Sequence, residues 1–157
     1  MAQEIERKFI LTSDDWRQSV SHSEFYRQGY LASNEKSSIR VRIAADNAWL
    51  NIKSATLGIQ RTEFEYEIPL ADANVILDQL SQGAVIEKTR YFVPDGDHLW
   101  EIDVFERDNA GLVVAEIELD DEHESFNKPA WVGEEVSDDP RYYNVCLVDH
   151  PYCDWDT

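Results

Sequence analysis

Charged side chains recur at every second position through much of this 157-residue chain. Glu4, Glu6 and Lys8 alternate in EIERKFIL (4–11), and Arg40 and Arg42 in SSIRVRIAA (37–45). Lys53 lies in AWLNIKS (48–54), and Glu63, Glu65 and Glu67 in QRTEFEYEIPL (60–70). Lys88 and Arg90 follow in AVIEKTRYFVP (84–94), then Glu101 and Asp103 in HLWEIDVFE (98–106), and Glu116 and Glu118 in GLVVAEIEL (111–119). Carboxylates bind hard divalent cations through oxygen. Lysine and arginine bind phosphate, arginine often through two parallel bonds. Side chains of both kinds, gathered in one place, suit a divalent cation together with a polyphosphate anion.

Alternation with period two is the signature of a β-strand. With EFYRQGYLA (24–32), the pattern predicts about eight strands. ADN (45–47) and PDGD (94–97) read as hairpin connections, so neighbours are antiparallel. In strand after strand one face is apolar and the other charged. Ile39, Val41 and Ile43 oppose Arg40 and Arg42, while Trp100, Ile102 and Val104 oppose Glu101 and Asp103. A solvated face is the ordinary reading of one such strand. Cations are scarce here, 14 Lys and Arg against 32 Asp and Glu, yet Lys8, Arg40, Arg42, Lys53, Lys88 and Arg90 all fall on these faces. Solubility alone does not gather them there. A sheet closed into a barrel, polar face inward, does. About eight strands enclose a lumen that holds side chains or one small ligand. Buried charges cost several kcal/mol each unless partnered, so a lumen of this kind must pair its charges or bind a charged ligand.

The expected fold class is therefore mainly β (α+β), a closed eight-stranded antiparallel barrel with a charged lumen and a few helices outside. It occupies residues 1–157 as one domain. Four helical pieces are predicted. They are 12–20 behind a Thr12/Asp15 capping box, 70–83 with Asp72 as N-cap and Gly83 as stop, a short piece at 120–126, and 138–148 with Asp139 before Pro140.

Composition excludes several classes. A formal net charge of -18 repels nucleic acid and anionic membranes. No apolar run is long enough for a membrane-spanning helix, and the acidic start does not read as a secretory signal. The four histidines are scattered without zinc spacing. Cys146 and Cys153 form no CxxC pair and read as reduced thiols of a cytoplasmic protein. With few helices to cover the apolar strand faces, a homodimer is a reasonable expectation.

The ordered set of motifs resembles the CYTH superfamily, the triphosphate tunnel metalloenzymes. Glu4-x-Glu6-x-Lys8 resembles its ExExK signature. IRVR, NIK, RTEFEYEI, EKTRY, EIDVF and AEIEL follow in the family's order, and GEEVSDDPRYYN resembles its closing segment. YRQGYL and NIKS resemble the small bacterial inorganic triphosphatases. The resemblance implies an eight-stranded tunnel, Mg²⁺ or Mn²⁺, and a small anionic triphosphate substrate, tripolyphosphate being cleaved to pyrophosphate and phosphate. Carried onto this sequence, Glu4, Glu6 and Glu118 are metal ligands, with Glu116 and Asp103 next. Lys8, Arg40, Arg42, Lys88 and Arg90 hold phosphates, and Arg141 closes one mouth. Glu63 and Glu65 are supporting acids, and Glu67 has no assigned role. Lys53 is the general acid or base, tuned by Tyr30.

Phosphoryl transfer depends on positioning and charge neutralisation, which this residue set supplies. A thiamine or nucleoside triphosphatase would add a ring-stacking group such as Trp49, Trp100 or Trp131. An adenylyl cyclase would add a purine pocket. A non-catalytic polyphosphate-binding module would need no water-activating group.

Overall fold

The structure is a computed structural model and describes residues 3–155. The nine strands are β1 (Gln3–Leu11), β2 (His22–Ser33), β3 (Ser37–Ala44), β4 (Asn47–Ser54), β5 (Gln60–Ile68), β6 (Gln82–Asp95), β7 (His98–Phe105), β8 (Val113–Leu119) and β9 (Val132–Glu135). Their order in the sheet is β5-β4-β3-β2-β6-β7-β8-β1-β9, and a further pairing of β1 with β5 closes the first eight into a barrel. All the pairings are antiparallel. The two hairpin connections expected from sequence are present, as Ala45–Asp46 between β3 and β4 and Gly96–Asp97 between β6 and β7.

β1 forms the seam. Its first residues pair with β5 (Glu4 opposite Arg61) and its last with β9 (Phe9 opposite Glu135), while β8 runs along the other edge. The short β9 is not anticipated by the alternation. It also explains Arg7, a charge on the otherwise apolar outer face of β1. Arg7 Nε donates to Glu135 Oε2 at 2.9 Å, and its guanidinium lies 5.1 Å from the ring centre of Phe126.

The apolar strand faces point outward and are covered in two places. Phe9, Trp100, Ile102, Ala115 and Ile117 pack under Trp16 and Trp131. Val41, Ile43 and Ala48 pack under Ala73 and Leu77 of α1 (Leu70–Gln79). Phe64 and Tyr66, on the outer face of β5, remain exposed. A third cluster lies inside one end of the barrel. Tyr30, Ile86, Phe105 and Val114 meet Leu112 and Leu147, with Tyr142, Val145, Val148, Tyr152 and Trp155 packed around them. Ile86, Phe105 and Val114 share strand phase with Lys88, Asp103 and Glu116, so the charged lumen ends in an apolar floor built against the C-terminal segment.

The helices depart from expectation for identifiable reasons. At 12–20 only a 3-10 turn forms (Asp15–Ser19), because the Thr12 hydroxyl donates to Ala130 O at 3.0 Å instead of capping. α1 starts at Leu70 behind Pro69, and Asp72 sits in its first turn, where an acid suits the helix dipole. The helix ends before Gly83, which lies within β6. Its φ of 68° falls where the β2–β6 register slips between Gln28 and Tyr30, the left-handed position of a bulge. Residues 120–126 form turns, not a helix. Asp121 and Glu124 accept from backbone amides there, so side chains satisfy the backbone locally. The predicted helix 138–148 is split into a 3-10 turn (Pro140–Tyr142) and α2 (Asn144–Leu147). Asp139 does cap the turn, accepting from Arg141 N. Tyr143 interrupts because it is extended (φ -76°, ψ 133°), with its hydroxyl donating to Ser137 O at 2.6 Å and accepting from Gly58 N at 3.1 Å. Among the described residues, no helix is long and apolar enough to cross a membrane.

Candidate active site

Strand phase brings the charged residues to one cavity of about 340 Å³ inside the barrel. Glu4, Glu6, Lys8, Tyr30, Arg40, Arg42, Lys53, Glu63, Glu65, Lys88, Arg90, Glu116 and Glu118 all line it. The cavity has an acid-rich side and a cation-rich side.

On the acid side, β1 and β8 place Glu6 opposite Glu118 and Lys8 opposite Glu116 in register. Lys8 Nζ lies 3.2 Å from Glu116 Oε1, and Arg90 Nη2 donates to Glu116 Oε2 at 3.3 Å. Burial opposes ionisation of Glu116, but Lys8 and Arg90 outweigh it and hold the carboxyl well below its usual range. Among the described residues, Glu6 has no such partner. Burial, reinforced by Glu116, pushes it up to about 8. Burial and the neighbouring Glu63 also raise Glu118. Glu4 is raised by burial and stands within hydrogen-bond reach of Glu63. Two carboxylates that close need a proton or a cation between them. Glu63 Oε2 is buried and has no aligned donor, although Lys53 Nζ lies 3.1 Å away. Among the described residues, no three acidic, His or Cys side chains already converge as a closed metal cage. The chemistry of this wall nonetheless fits a divalent cation. It offers hard oxygen donors whose mutual repulsion a cation relieves.

On the cation side, Arg40 and Arg42 of β3 project inward. Arg40 Nε donates to Asn51 Oδ1 at 3.3 Å, and no carboxylate pairs with it among the described residues. Tyr30, its cross-strand neighbour, supports its charge against burial. Arg42 has one long contact, 3.6 Å from Nη2 to Glu65 Oε2. Its Nε is buried without a partner. Burial lowers its pKa, and the positive charges of Arg40 and Arg90 lower it further.

Lys88 and Arg90 are organised from behind by Asp103, which is 0% exposed and does not line the cavity. Arg90 grips it through Nε and Nη2 at 2.7 and 2.9 Å, and Lys88 Nζ donates at 2.8 Å. Burial disfavours the Asp103 carboxylate, but Arg90 and Lys88 hold its pKa down. Burial lowers Lys88 to about 8. Asp103, expected as a secondary metal ligand, is placed instead as the internal anchor of two cations.

Two other residues fall elsewhere than expected. Arg141 is half-exposed and pairs with Asp139 at 2.7 Å, outside the cavity. Its neighbours Tyr143, Asn144 and Val145 line the tunnel instead, and Asn144 Oδ1 accepts from Lys88 Nζ at 2.9 Å and Gln28 Nε2 at 2.7 Å. Tyr30 packs in the apolar floor beside Arg40, while Lys53 contacts Glu4 (3.5 Å) and Glu63. Glu67 is exposed and off the cavity. Sequence reasoning passed over Tyr26, Ser38, Arg61 and Glu101 as site residues. The strand phase carried the signal, since Arg61 is in step with Glu63 and Glu65, and Glu101 with Asp103. Trp100 and Trp131 stack edge-on in the outer core, 5.5 Å between ring centres, away from the lumen.

The profile of the CYTH domain matches residues 2–143. An inorganic triphosphatase of Acetivibrio thermocellus is 47% identical over 152 residues, covering 97% of each chain. One from Nitrosomonas europaea is 35% identical over 150 residues, covering 92% of this chain and 96% of that one. A crystal structure of an inorganic triphosphatase superposes with a TM-score of 0.67 at 33% identity, covering 94% of this chain and 95% of that one. The closed barrel, its inward charges and these relatives lead to one assignment: the chain belongs to the CYTH domain family.

Proposed function

We propose that this chain hydrolyses inorganic tripolyphosphate to pyrophosphate and phosphate, with Mg²⁺ or Mn²⁺ held by Glu4, Glu6 and Glu118. The observation that carries the reading is the Arg40–Arg42 wall. In a chain with a large excess of acid, the buried Arg40 pairs with no carboxylate among the described residues, and the partly buried Arg42 has only the 3.6 Å contact to Glu65, its Nε being left without a hydrogen-bond partner there. An anion rich in oxygen acceptors supplies what they lack. The relatives named as inorganic triphosphatases support the same substrate.

When bound, the cation supplies charge neutralisation of the phosphate oxygens and lowers the cost of ionising a water. Arg40 and Arg42 bind and orient the phosphate chain. Lys8, Lys88 and Arg90 complete the cradle. The last two are fixed by Asp103 and Asn144, so little reorganisation is needed as charge moves in the transition state. In this reading Lys53 passes a proton to the leaving phosphate oxygen, a role supported by its Nζ lying beside Glu4 and Glu63. Glu116 keeps Lys8 and Arg90 in place from the acid side. The buried floor of Tyr30, Phe105 and Val114 excludes water from one end. Free Cys146 and Cys153 support a reducing, cytoplasmic setting.

One observation favours a second reading, an organic triphosphate. A pocket lined by Ala55, Leu57, Pro140 and Val145 adjoins the tunnel at Ser38, Arg61 and Tyr143. Phosphate release from tripolyphosphate, pyrophosphate, ATP and thiamine triphosphate, with Mg²⁺ or Mn²⁺, decides between them. Tripolyphosphate as the preferred substrate supports the proposal. Preference for an organic triphosphate favours the second reading, and release from none of them sinks both.

A further inference from the structure

We infer that Arg61 is a specificity-determining residue, a clamp for the terminal phosphate that lets the tunnel prefer three linked phosphates to two. This rests on the triphosphatase reading of the site.

Arg61 faces the lumen from β5, in step with Glu63 and Glu65. It lies two residues nearer the β4–β5 connection than Glu63, the register partner of Lys53. At the rise of a strand this is about 7 Å farther along. It lines both the tunnel and the adjoining pocket, so it marks a boundary of the cavity. Directly across the β1–β5 seam stands Glu4, the obvious partner. Glu4 reaches Lys53 instead. Among the described residues, no hydrogen bond or ion pair occupies the Arg61 guanidinium. Of the outer arginines, Arg7, Arg27, Arg107 and Arg141 each pair with a carboxylate, and Arg17 lies over the buried Trp16 outside the barrel.

What holds Arg61 is an aromatic face. Its guanidinium carbon is 4.3 Å from the ring centre of Tyr143. The Lys8 ammonium is 5.7 Å from the same ring centre. That ring is fixed through its hydroxyl, bonded to Ser137 O and Gly58 N. Stacking uses the face of the guanidinium and leaves its in-plane donors free. The result is a pre-oriented fork beside a second cation, able to bind a phosphate two oxygens at a time. Four other cations are lodged on β3 and β6, where Arg42 and Arg90 lie one inward-facing position farther from the C-terminal floor than Arg40 and Lys88. Arg61, stacked on Tyr143 of the segment that builds this floor, stands at the floor end of the row, and a shorter anion seated on Arg42 and Arg90 does not reach it.

The test is calorimetric titration of the full chain with tripolyphosphate and with pyrophosphate, in Mg²⁺, alongside steady-state hydrolysis. In Arg61→Gln, Kd and KM for tripolyphosphate rise about 10- to 100-fold, the loss expected for one charged hydrogen-bonding group. The fall in kcat is smaller than the rise in KM, and pyrophosphate affinity stays within about twofold. Arg61→Lys keeps the charge without the fork, and restores part of the affinity. Tripolyphosphate binding within twofold of wild type in Arg61→Gln overturns the clamp. So does equal weakening toward both anions. A lowered melting temperature that Arg61→Lys does not restore, with binding unchanged, makes the residue structural and overturns it too. Wild-type chain that binds tripolyphosphate without cleaving it defeats the hydrolase reading alone, and the binding comparison still judges Arg61.

Discussion

Arg42→Gln separates a residue kept for a ligand from one kept for the fold. Without ligand, the main gain of Arg42 is its stack on Tyr26, 4.8 Å from the guanidinium carbon to the ring centre. Its one ionic contact is 3.6 Å long, its Nε is buried without an acceptor, and Arg40 and Arg90 repel it. An unsatisfied buried donor costs about 1–3 kcal/mol. Glutamine removes the charge and that donor but also the Tyr26 stack, worth about 0.5–2 kcal/mol, so ligand-free stability should hold or rise by at most about 2 kcal/mol. For a chain of this size, 1 kcal/mol moves Tm by roughly 2–4 °C, giving a rise of up to about 8 °C. With substrate the sign reverses. A guanidinium making two charge-assisted bonds to phosphate contributes about 3–6 kcal/mol. At about 1.4 kcal/mol per tenfold, kcat/KM should drop roughly 10²- to 10⁴-fold. Two assays suffice: phosphate release at subsaturating tripolyphosphate, and thermal melts with and without tripolyphosphate. Wild type should gain about 2.7 kcal/mol when the ligand stands at a hundred times Kd, and the variant should gain far less. A variant that melts several degrees lower yet keeps kcat/KM within tenfold of wild type would refute the reasoning.

Glu6 gives a pH test in chelator. It stays protonated to about pH 8 in the folded, metal-free chain and ionises near 4.5 when unfolded, so the folded state binds the extra proton in that window. Stability should therefore fall as pH rises from about 4.5 to 8 and then level. Denaturant titrations of Glu6→Gln should show a shallower decline, and identical slopes would refute the assignment. Asp103→Asn strands Lys88 and Arg90 without their anchor, at a cost of about 3–5 kcal/mol, or roughly 6–20 °C in Tm. If Asp103 served the cation instead, metal affinity would drop while melting in chelator stayed near wild type. Lys53→Ala should lower kcat far more than it raises KM, and a change confined to KM would make Lys53 a binding group.

Much of the barrel was legible because period two is a backbone property that survives in the side-chain pattern. Ile39 to Ile43 and Trp100 to Val104 could face only one way. β9 was not, since VGEE spans four residues and carries no apolar alternation. The helix at 138–148 misled because Asp139 and Pro140 are sound start signals, whereas Tyr143 breaks the helix through tertiary bonds to Ser137 and Gly58. The membership of the site followed from strand phase. The division of labour within it did not. Phase places Asp103 and Glu101 on one face, but only the register with Arg90 shows which of them is enclosed. Phase likewise cannot show that Tyr30 belongs to an apolar floor, because that floor is completed by Leu147, far along the chain.

The seam has a kinetic meaning. β2 to β5 form a run of adjacent hairpins, and β6 to β8 another, so each can assemble soon after it leaves the ribosome. β1, first to emerge, must wait for β8 and β9, and for the C-terminal segment that floors the tunnel. Such distant pairings make closure the slow part of folding. Until then Glu4 and Glu6 remain apart from Glu116 and Glu118, so the nascent chain has no assembled site with which to capture metal or phosphate.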